Sequence, residues 1–287
     1  MVNNIVDSYL QIRRATGCGL KAVEPLLRNF ANFAAGRDQE YVMAQTAIEW
    51  ASESQSPLQR DRRLKTVIRF ARYAHAEDVH HEIPPDGVFG RQPWRRPVPF
   101  IFSVEEIARL MNVASRHHLS NTLLPHTYST LFGLLAATGL RVSEAFNLRL
   151  DDLTPDGLLI RETKFRKNRL VPLHETTTAA LEQYVAKRRR VSSKENYVLI
   201  SLRGNRLCYR SVCAVFHSCL RAAGMQRQAH LPQPRLHSLR HTFIVRALEN
   251  CPCDPDHINQ HMLALTTYVG HRSVESTLWY YVQRNVM

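Results

Sequence analysis

The 287-residue chain has few of the residues that mark fibrous, disulfide-rich or membrane-spanning proteins. Its six cysteines are irregularly spaced and too few for a disulfide scaffold of this length, so we expect reduced thiols. With 11 glycines and 14 prolines, the composition is neither collagen-like nor of low complexity. The longest apolar run, residues 131–140, is too short for a membrane-spanning helix, which needs about 20 residues. These absences predict an ordinary globular protein without a membrane span.

Acidic residues are scarce relative to basic ones. The chain has 38 Lys and Arg against 25 Asp and Glu, a net charge of +13. Residues 1–98 carry 14 basic and 11 acidic side chains, whereas residues 99–287 carry 24 and 14. A polyanion is the expected partner, with nucleic acid as the leading candidate, because each neutralised phosphate releases condensed counterions. A basic protein without such a partner is the alternative that charge alone leaves open.

The N-terminal segment lacks the design of a signal peptide. Asn3, Asn4 and Asp7 precede the first basic residue, Arg13, and no apolar segment follows a basic one. We therefore expect a cytoplasmic protein, which a DNA partner would make nucleoid-associated.

Breaker residues divide the chain in two. The segment 83–99 contains five prolines and two glycines, which favour a semi-extended linker over a helix. Apolar residues recur at helical spacing throughout residues 1–82 and predict a small domain of four or five helices. Residues 100–287 are predicted to form a larger second domain.

The second domain combines helices with a short stretch of strands. Ser103 and Glu106 have the spacing of a capping box and predict a helix start. Short strand-like runs at residues 158–160 and 169–173 predict a hairpin or a small sheet, and helical patterns return from His174. The expected fold is therefore mainly α with a small β-sheet in the second domain, an α+β class.

One helix of the first domain, predicted over residues 59–73, has two faces. Its apolar stripe follows the i, i+3, i+4, i+7 pattern of a buried face, at Leu64, Val67, Ile68 and Ala71. Basic side chains lie mainly on the other side and are the candidate DNA-binding residues, Arg62, Arg63, Lys65, Arg69 and Arg72. Such a face can lie against DNA phosphates or enter a groove. A solvated helix surface is the alternative.

Two segments of the second domain place a cation at a turn. Arg141, in Thr-Gly-Leu-Arg-Val-Ser-Glu, follows a glycine and stands near the start of a predicted helix. A guanidinium there can bind a phosphate with two parallel hydrogen bonds, beside helix amides. Lys164 lies at the tip of the predicted hairpin, where it can give a proton to a departing oxygen. Taken singly, each residue is more often a solvated or ion-paired side chain.

Two further segments place histidines beside an arginine or a tyrosine. His237 and Arg240 are three residues apart and share a face on a helix, so a proton acceptor and a phosphate clamp can meet one substrate. His241 follows them and is interpreted as a structural histidine. His271, in Val-Gly-His-Arg, supplies another imidazole, and Tyr280 supplies a phenol nine residues later.

Taken in order, these motifs resemble the catalytic domain of the tyrosine recombinase, or phage integrase, family. They are Thr-Gly-Leu-Arg-x-Ser-Glu, a hairpin lysine before Arg-Leu-Val-Pro-Leu, His-x-Leu-Arg-His-Thr-Phe, Gly-His and a C-terminal tyrosine. The resemblance covers about residues 99–287. The helical first domain resembles the DNA-binding core-binding domain of that family in size and position.

The resemblance implies an active site around one scissile phosphate, formed by Arg141, Lys164, His237, Arg240, His271 and Tyr280. Tyr280 attacks the phosphorus to give a 3′-phosphotyrosyl link and a free 5′-hydroxyl, without ATP, metal or other cofactor. His237 is the expected proton acceptor, Lys164 the acid on the leaving oxygen, and His271 a hydrogen-bond donor to the phosphate. The two arginines stabilise the charge on the nonbridging oxygens.

The function that the resemblance implies is that of a site-specific DNA recombinase or integrase of a mobile element. Its partner is double-stranded DNA with specific recombination sites, on which a homotetramer assembles with or without accessory proteins. Two alternatives remain open. One is a type IB topoisomerase-like enzyme that relaxes DNA without exchanging partners, and the other is a non-catalytic DNA-binding regulator.

Some assignments have competitors within the sequence. Tyr281 and Tyr268 compete with Tyr280, and Lys167 competes with Lys164. The family often has glycine around the hairpin lysine, so Phe165 departs from its pattern.

A segment between the last two motifs contains residues of metal-ligand type. Cys251, Cys253, His257 and His261 match a Cys-x-Cys-x3-His-x3-His zinc pattern. Two prolines, the tight spacing and the absence of a Cys-x2-Cys pair favour an extended surface loop without metal.

Overall fold

The computed structural model describes residues 2–90, 98–116, 122–161, 168–193, 195–225, 232–251, 255–271 and 273–284. Contacts divide the chain into two compact units, Met1–Arg96 and Pro97–Met287. Helices dominate both units, and a small sheet lies in the second, so the predicted fold class is confirmed. No helix in the described ranges is both long and apolar enough to cross a membrane.

In its described part, the first unit consists of four helices around one core. They are α1 (Val2–Ala15), α2 (Val23–Ala35), α3 (Ala44–Ser52) and α4 (Pro57–Glu77). Phe30, Trp50 and Phe70 are fully buried where the helices meet. The Trp50 indole donates a hydrogen bond to Oδ1 of Asn29 at 2.8 Å, which satisfies its polar group inside the core.

Helix α4 confirms the helix predicted over residues 59–73. It begins at Pro57, where a missing backbone N–H costs no helical hydrogen bond. The predicted apolar stripe faces the core, and its four members are buried: Leu64, Val67, Ile68 and Ala71. Burial of this stripe gives the helix a defined exposed side.

The second unit has, besides a short 3-10 helix at Leu150–Asp152, eight α-helices among its described residues. They are α5 (Val104–Ser115), α6 (Leu124–Thr138), α7 (Val142–Asn147), α8 (Glu175–Arg188), α9 (Tyr209–Ala222), α10 (Leu236–Glu249), α11 (Pro255–Val269) and α12 (Glu275–Arg284). Ser103 and Glu106 form the predicted capping box at the start of α5. His174 caps α8, because its side chain accepts the backbone N–H of Thr176.

A three-stranded antiparallel sheet lies between α7 and α8. It comprises β1 (Leu153–Thr154), β2 (Gly157–Ile160) and β3 (Arg169–Val171), in that order. Leu158 pairs with Val171, and both are buried. The predicted hairpin is therefore confirmed, and the sheet holds the chain on either side of residues 162–167, which lie outside the described ranges.

Two apolar clusters support the second unit. The larger includes Leu110, Phe132 and Phe216, from α5, α6 and α9. The smaller joins α10, α11 and α12 and includes Leu265 and Tyr280. Helix α10 packs against both α6 and α12, so it carries its side chains to the boundary between the clusters.

The prediction of a surface loop over residues 251–261 is wrong for the second half of that segment. His257 and His261 lie on α11, which begins at Pro255. Nε2 of His261 lies 2.8 Å from the backbone oxygen of Ala247, a hydrogen-bonding distance. Cys251 is partly buried, and Cys253 lies outside the described residues. Groups able to hold a metal ion are absent among the described residues.

Candidate active site

Arg141 stands at the junction of α6 and α7. Helix α6 is capped by Gly139, which adopts the left-handed conformation with φ of 61°. A Cβ added there would lie 2.4 Å from a ring carbon of Phe243 on α10, so this position requires glycine for two reasons. The Arg141 backbone N–H then donates to Oε2 of Glu144 at 2.8 Å. The turn therefore fixes the base of the Arg141 side chain.

Glu144 binds two guanidinium groups. Its Oε1 accepts from Nη1 of Arg141 at 2.8 Å and from Nη1 of Arg169 at 3.0 Å, and its Oε2 accepts from Nη2 of Arg169 at 2.8 Å. Burial favours the neutral acid, but the hydrogen bonds and charge of Arg169, followed by Arg141, lower the pKa of Glu144 to about 2. The ionised carboxylate thus orients both arginines at neutral pH.

Arg169 links three parts of the site. It lies on β3, it binds Glu144 on α7, and its Nε donates to the backbone oxygen of Tyr268 at 2.9 Å. Its side chain is largely buried. In the sequence this residue was notable only as part of a motif, yet a cation in an otherwise apolar strand is a detectable signal of an internal ion pair.

Arg240 lies inside the protein, and its guanidinium, like that of Arg141, binds backbone oxygens of the turn at residues 269–270. Its Nη1 donates to the Gly139 oxygen at 2.5 Å and its Nη2 to the Val269 oxygen at 2.7 Å. Burial, reinforced by the charge of Arg141, lowers the pKa of Arg240 to about 10. The group is still a cation at neutral pH, and its charge is held by neutral carbonyl oxygens.

Adjacent backbone carbonyls bring the two arginines together. Nη2 of Arg141 donates to the Gly270 oxygen, next to the Val269 oxygen that binds Arg240. Gly270 has φ of 67°, and a Cβ there would lie 2.9 Å from Nη1 of Arg169 and 3.2 Å from Nη1 of Arg141. Glycine at this position therefore lets the guanidinium groups approach the backbone.

His271 and Tyr280 lie beside this turn. Nδ1 of His271 is 2.8 Å from Oγ1 of Thr277, and Thr277 is buried against Thr266. The rings of His271 and Tyr280 are nearly parallel, with centroids 6.1 Å apart. Tyr280 is only 5% exposed, which makes it part of the smaller core as well as of the site.

His241, which we interpreted from the sequence as structural, contacts Tyr280 directly. Its Nδ1 lies 2.5 Å from the Tyr280 hydroxyl oxygen. Burial, followed by the charges of His237 and Arg240, lowers the pKa of His241 to about 3. The imidazole is therefore neutral at physiological pH. Its place one turn after His237 on the same helix face was the available sequence signal.

His237 lies next to His241 and not against the phenol. The two imidazole rings meet edge to face, with centroids 4.6 Å apart. Solvent loss around the ring, together with the charges of Arg240 and Arg141, lowers the pKa of His237 to about 4. His237 nevertheless keeps an exposed side, so it joins the site to the protein surface.

The structure thus brings together five of the six predicted catalytic residues: Arg141, His237, Arg240, His271 and Tyr280. Lys164 and its competitor Lys167 lie outside the described residues. Tyr268 is a neighbour of a different kind, since burial raises its pKa to about 12 and its hydroxyl donates to the Pro172 oxygen at 3.4 Å.

The candidate DNA-binding residues of α4 divide into two groups. Arg62, Lys65, Arg69 and Arg72 form an exposed stripe along the helix. Arg63 instead places its guanidinium carbon 4.1 Å from the Trp50 ring centre, and its side chain is only 15% exposed. Arg63 therefore packs onto the core, whereas the other four side chains face outward.

Comparison with known proteins places the chain in a family. The sequence model of the Phage integrase family matches residues 101–286. The chain is 36% identical to the putative integrase/recombinase y4rB of Sinorhizobium fredii, over 96% of this chain and 90% of that protein. It is 28% identical to the tyrosine recombinase XerC of Pseudomonas syringae pv. syringae, over 79% of this chain and 70% of that protein.

Solved structures share the fold. The XerH site-specific recombinase bound to difH substrate has a TM-score of 0.67 at 16% identity, covering 98% of this chain and 80% of that one. The Tn1549 transposon integrase in complex with circular intermediate DNA has a TM-score of 0.63 at 19% identity, covering 96% and 94%.

The molecule is therefore a site-specific recombinase in class, an enzyme that cleaves and rejoins DNA strands. The chain belongs to the phage integrase family of tyrosine recombinases, as its motifs predicted.

Proposed function

We propose that this recombinase serves a mobile element and cuts specific sites in double-stranded DNA with Tyr280 as its nucleophile. The observation that carries the proposal is the convergence of two arginines, His271 and Tyr280 on the turn at residues 269–271. The similarity to an integrase/recombinase and to a transposon integrase supports the link to a mobile element.

The charges suit a phosphodiester substrate. In the proposed reaction Arg141 and Arg240 bind the nonbridging oxygens, where negative charge grows as the pentacoordinate state forms. Both guanidinium groups are already oriented by Glu144 and by carbonyl oxygens, so little rearrangement accompanies phosphate binding. His271 donates a hydrogen bond to the same phosphate.

The proposed reaction consists of two successive transesterifications. A bond forms between the Tyr280 oxygen and phosphorus while the bond from phosphorus to the 5′ oxygen breaks. The phenol proton passes to a histidine base, for which His237 was the candidate from the sequence, and Lys164 protonates the leaving oxygen. A 5′-hydroxyl from another strand then attacks the phosphotyrosine and restores the enzyme. The ester bond energy is conserved, so the proposed reaction requires no ATP. The two guanidinium groups and Lys164 supply the charge stabilisation and the acid that a metal ion provides in other enzymes.

The first unit is proposed to grip the DNA. Residues 1–82 would act as a core-binding domain, residues 83–99 as a linker and residues 100–287 as the catalytic domain. The exposed basic stripe of α4 and the net charge of +13 support contact with phosphates. One protein of similar fold, a lambda integrase, is a tetramer bound to a Holliday junction. We accordingly propose a homotetramer on two DNA sites, associated with the nucleoid.

A nicked suicide duplex tests the proposal. Its sequence is the stretch that the wild-type protein protects from nuclease digestion on the DNA that encodes it. A nick next to the scissile phosphate lets the short fragment that carries the free 5′-hydroxyl diffuse away after cleavage, so the covalent intermediate accumulates. We expect a covalent protein–DNA adduct on a denaturing gel, which disappears in Tyr280→Phe and persists in Tyr268→Phe.

Two outcomes would contradict the proposal. Tight binding of the protected sequence without an adduct would indicate a DNA-binding regulator. Efficient relaxation of a supercoiled plasmid that lacks the protected sequence would indicate a topoisomerase-like enzyme.

A further inference from the structure

The contact between α10 and α12 at the phenol extends the proposed reaction. The Nδ1 to oxygen distance of 2.5 Å between His241 and Tyr280 places the two atoms in direct hydrogen-bonding contact. The two rings are 5.3 Å apart at 45°, so the contact belongs to a packed pair. Because Tyr280 is buried, this neighbour meets the nucleophile inside the protein, out of competition with bulk water.

The charge state of His241 fixes what it can do for the phenol. A neutral imidazole has one donor and one acceptor nitrogen. Burial, followed by the charges of His237 and Arg240, lowers the pKa of His241, so the ring is neutral but a weak base in the free protein. The negative charge of a bound phosphodiester, which offsets that of the arginines, favours its protonation. A neutral ring with its proton on Nε2 can accept the phenol proton at Nδ1, which leaves the lone pairs of the Tyr280 oxygen directed away from the imidazole.

Arg240 is placed to stabilise the negative charge that develops on the phenol oxygen. The Tyr280 oxygen lies close enough to Arg240 to raise the pKa of that guanidinium, so a negative phenolate and the Arg240 cation attract each other. An acceptor that touches the phenol oxygen is then needed for proton transfer. His237 touches His241 and is exposed, so the three side chains lead from the buried phenol to the protein surface.

We propose that His241 is a catalytic residue of the cleavage step, which accepts the Tyr280 proton at Nδ1 and aims the phenol oxygen at the phosphorus. The inference rests on the proposed function. As the oxygen–phosphorus bond forms, the proton moves from the phenol to Nδ1 of His241, and the electron pair of the breaking bond leaves with the 5′ oxygen, which Lys164 protonates.

Two variants of similar size isolate the role of Nδ1. Asn places its amide near the Nδ1 position, whereas Gln places its amide farther out, near Nε2. The rate of adduct formation is measured on the same nicked suicide duplex for wild type, His241→Ala, His241→Asn and His241→Gln. We expect a loss of about 100-fold in Ala and Gln, and a loss nearly as large in Asn, because the Asn amide oxygen can accept a hydrogen bond from the phenol but cannot take its proton. A wild-type rate in Asn would reduce His241 to a positioning residue. His217→Asn, at an exposed histidine of α9, is the control and is expected to match wild type.

A second substrate separates the nucleophile from the leaving group. In a duplex with sulfur in place of the scissile 5′ oxygen, the leaving thiolate needs no proton donor. The loss in His241→Gln should persist on this duplex, whereas the loss in Lys164→Ala should shrink. A wild-type or faster rate in both His241→Ala and His241→Gln, or recovery of His241→Gln on the sulfur duplex, would overturn the role of His241 alone. The absence of an adduct with wild type would overturn the proposed function itself.

Discussion

Glu144 shows how single residues make this site stable before any DNA arrives. One buried carboxylate holds Arg141 and Arg169, and Arg169 in turn holds the backbone at Tyr268. Removing one partner from a buried ion pair leaves a buried charge without compensation, which is strongly destabilising. The carboxylate therefore has a structural role that can be measured without a substrate.

Glu144→Gln is expected to lower the free energy of unfolding by about 3 kcal/mol near pH 7. The pKa of Glu144 is about 2 in the folded protein against 4.5 for an ordinary glutamate, so its contribution is present above pH 4.5 and is lost as the pH falls toward 2. Chemical denaturation between pH 2 and pH 7 should show the two proteins converging at the acid end. Glu175→Gln, at an exposed position of α8, is the control. A difference that does not depend on pH would contradict this account.

Residue identities were largely predictable from the sequence, whereas their contacts were not. The motifs supplied Arg141, Arg240, His271 and Tyr280 as candidates. They did not show that His241, and not His237, meets the phenol, because helical spacing places both histidines on one face and the position of α12 decides between them. That choice depends on packing between segments about 40 residues apart, a distance over which local patterns carry no information.

At the scale of elements, the end of α6 shows why a turn residue matters to the site. Gly139 and Gly224 both have positive φ, 61° and 68°. Of the two, Gly139 is the one at which a Cβ would meet another side chain, at 2.4 Å from Phe243, whereas the space at Gly224 is open to 4 Å. Alanine at Gly224 would introduce backbone strain alone, whereas alanine at Gly139 would add steric overlap with Phe243, so comparing the two substitutions separates these effects.

Gly224→Ala is expected to destabilise the protein by about 1 kcal/mol, the cost of left-handed backbone for an L-residue. Gly139→Ala should cost about 1–3 kcal/mol more, because Phe243 must also move. Thermal or chemical unfolding of both variants gives the comparison, and Phe243→Leu should recover part of the loss in the Gly139 variant. Equal destabilisation by the two alanines would contradict the overlap.

Helix α4 supports a matched test of DNA contact. Replacing Arg62, Arg69 and Arg72 by alanine should weaken binding to duplex DNA and reduce the dependence of log K on log salt, by about 0.9 for each phosphate that is no longer neutralised. Arg63→Ala should leave that slope unchanged and lower stability, because Arg63 packs on Trp50. Fluorescence anisotropy over a range of salt concentrations gives the slopes. The prediction fails if Arg63→Ala changes the slope as much as the exposed positions do.

Helices and strands were predicted correctly where a single sequence pattern dominated. The prediction was wrong where one residue type, such as proline, is compatible with both a loop and a helix start. The stripe of α4 and the strands around residues 162–167 agree with their patterns. The prolines of the segment after Cys251 favoured a loop, yet Pro255 is the first residue of α11, a position at which proline stabilises a helix. The two-residue strand β1 is too short for any periodicity to show.

At the scale of the whole molecule, the positive charges are of two kinds, exposed to solvent or buried in the protein. The net charge of +13 lies mostly in the second part of the chain. The charges of the exposed arginines in the first unit are screened by salt, whereas Arg240 is buried among carbonyl oxygens and is screened little. Composition predicted the polyanionic partner, and only the folded structure separates the exposed charges from the buried ones that we propose bind one phosphate.

Tyr280 packs in the small cluster with Ile244, Leu248 and Leu265. In the proposed covalent state a DNA strand is attached to this core residue, so any tension along the strand pulls on the packing of α10, α11 and α12. The force at which the packing of these three helices gives way therefore sets the largest tension that the attached DNA strand can carry before it is rejoined.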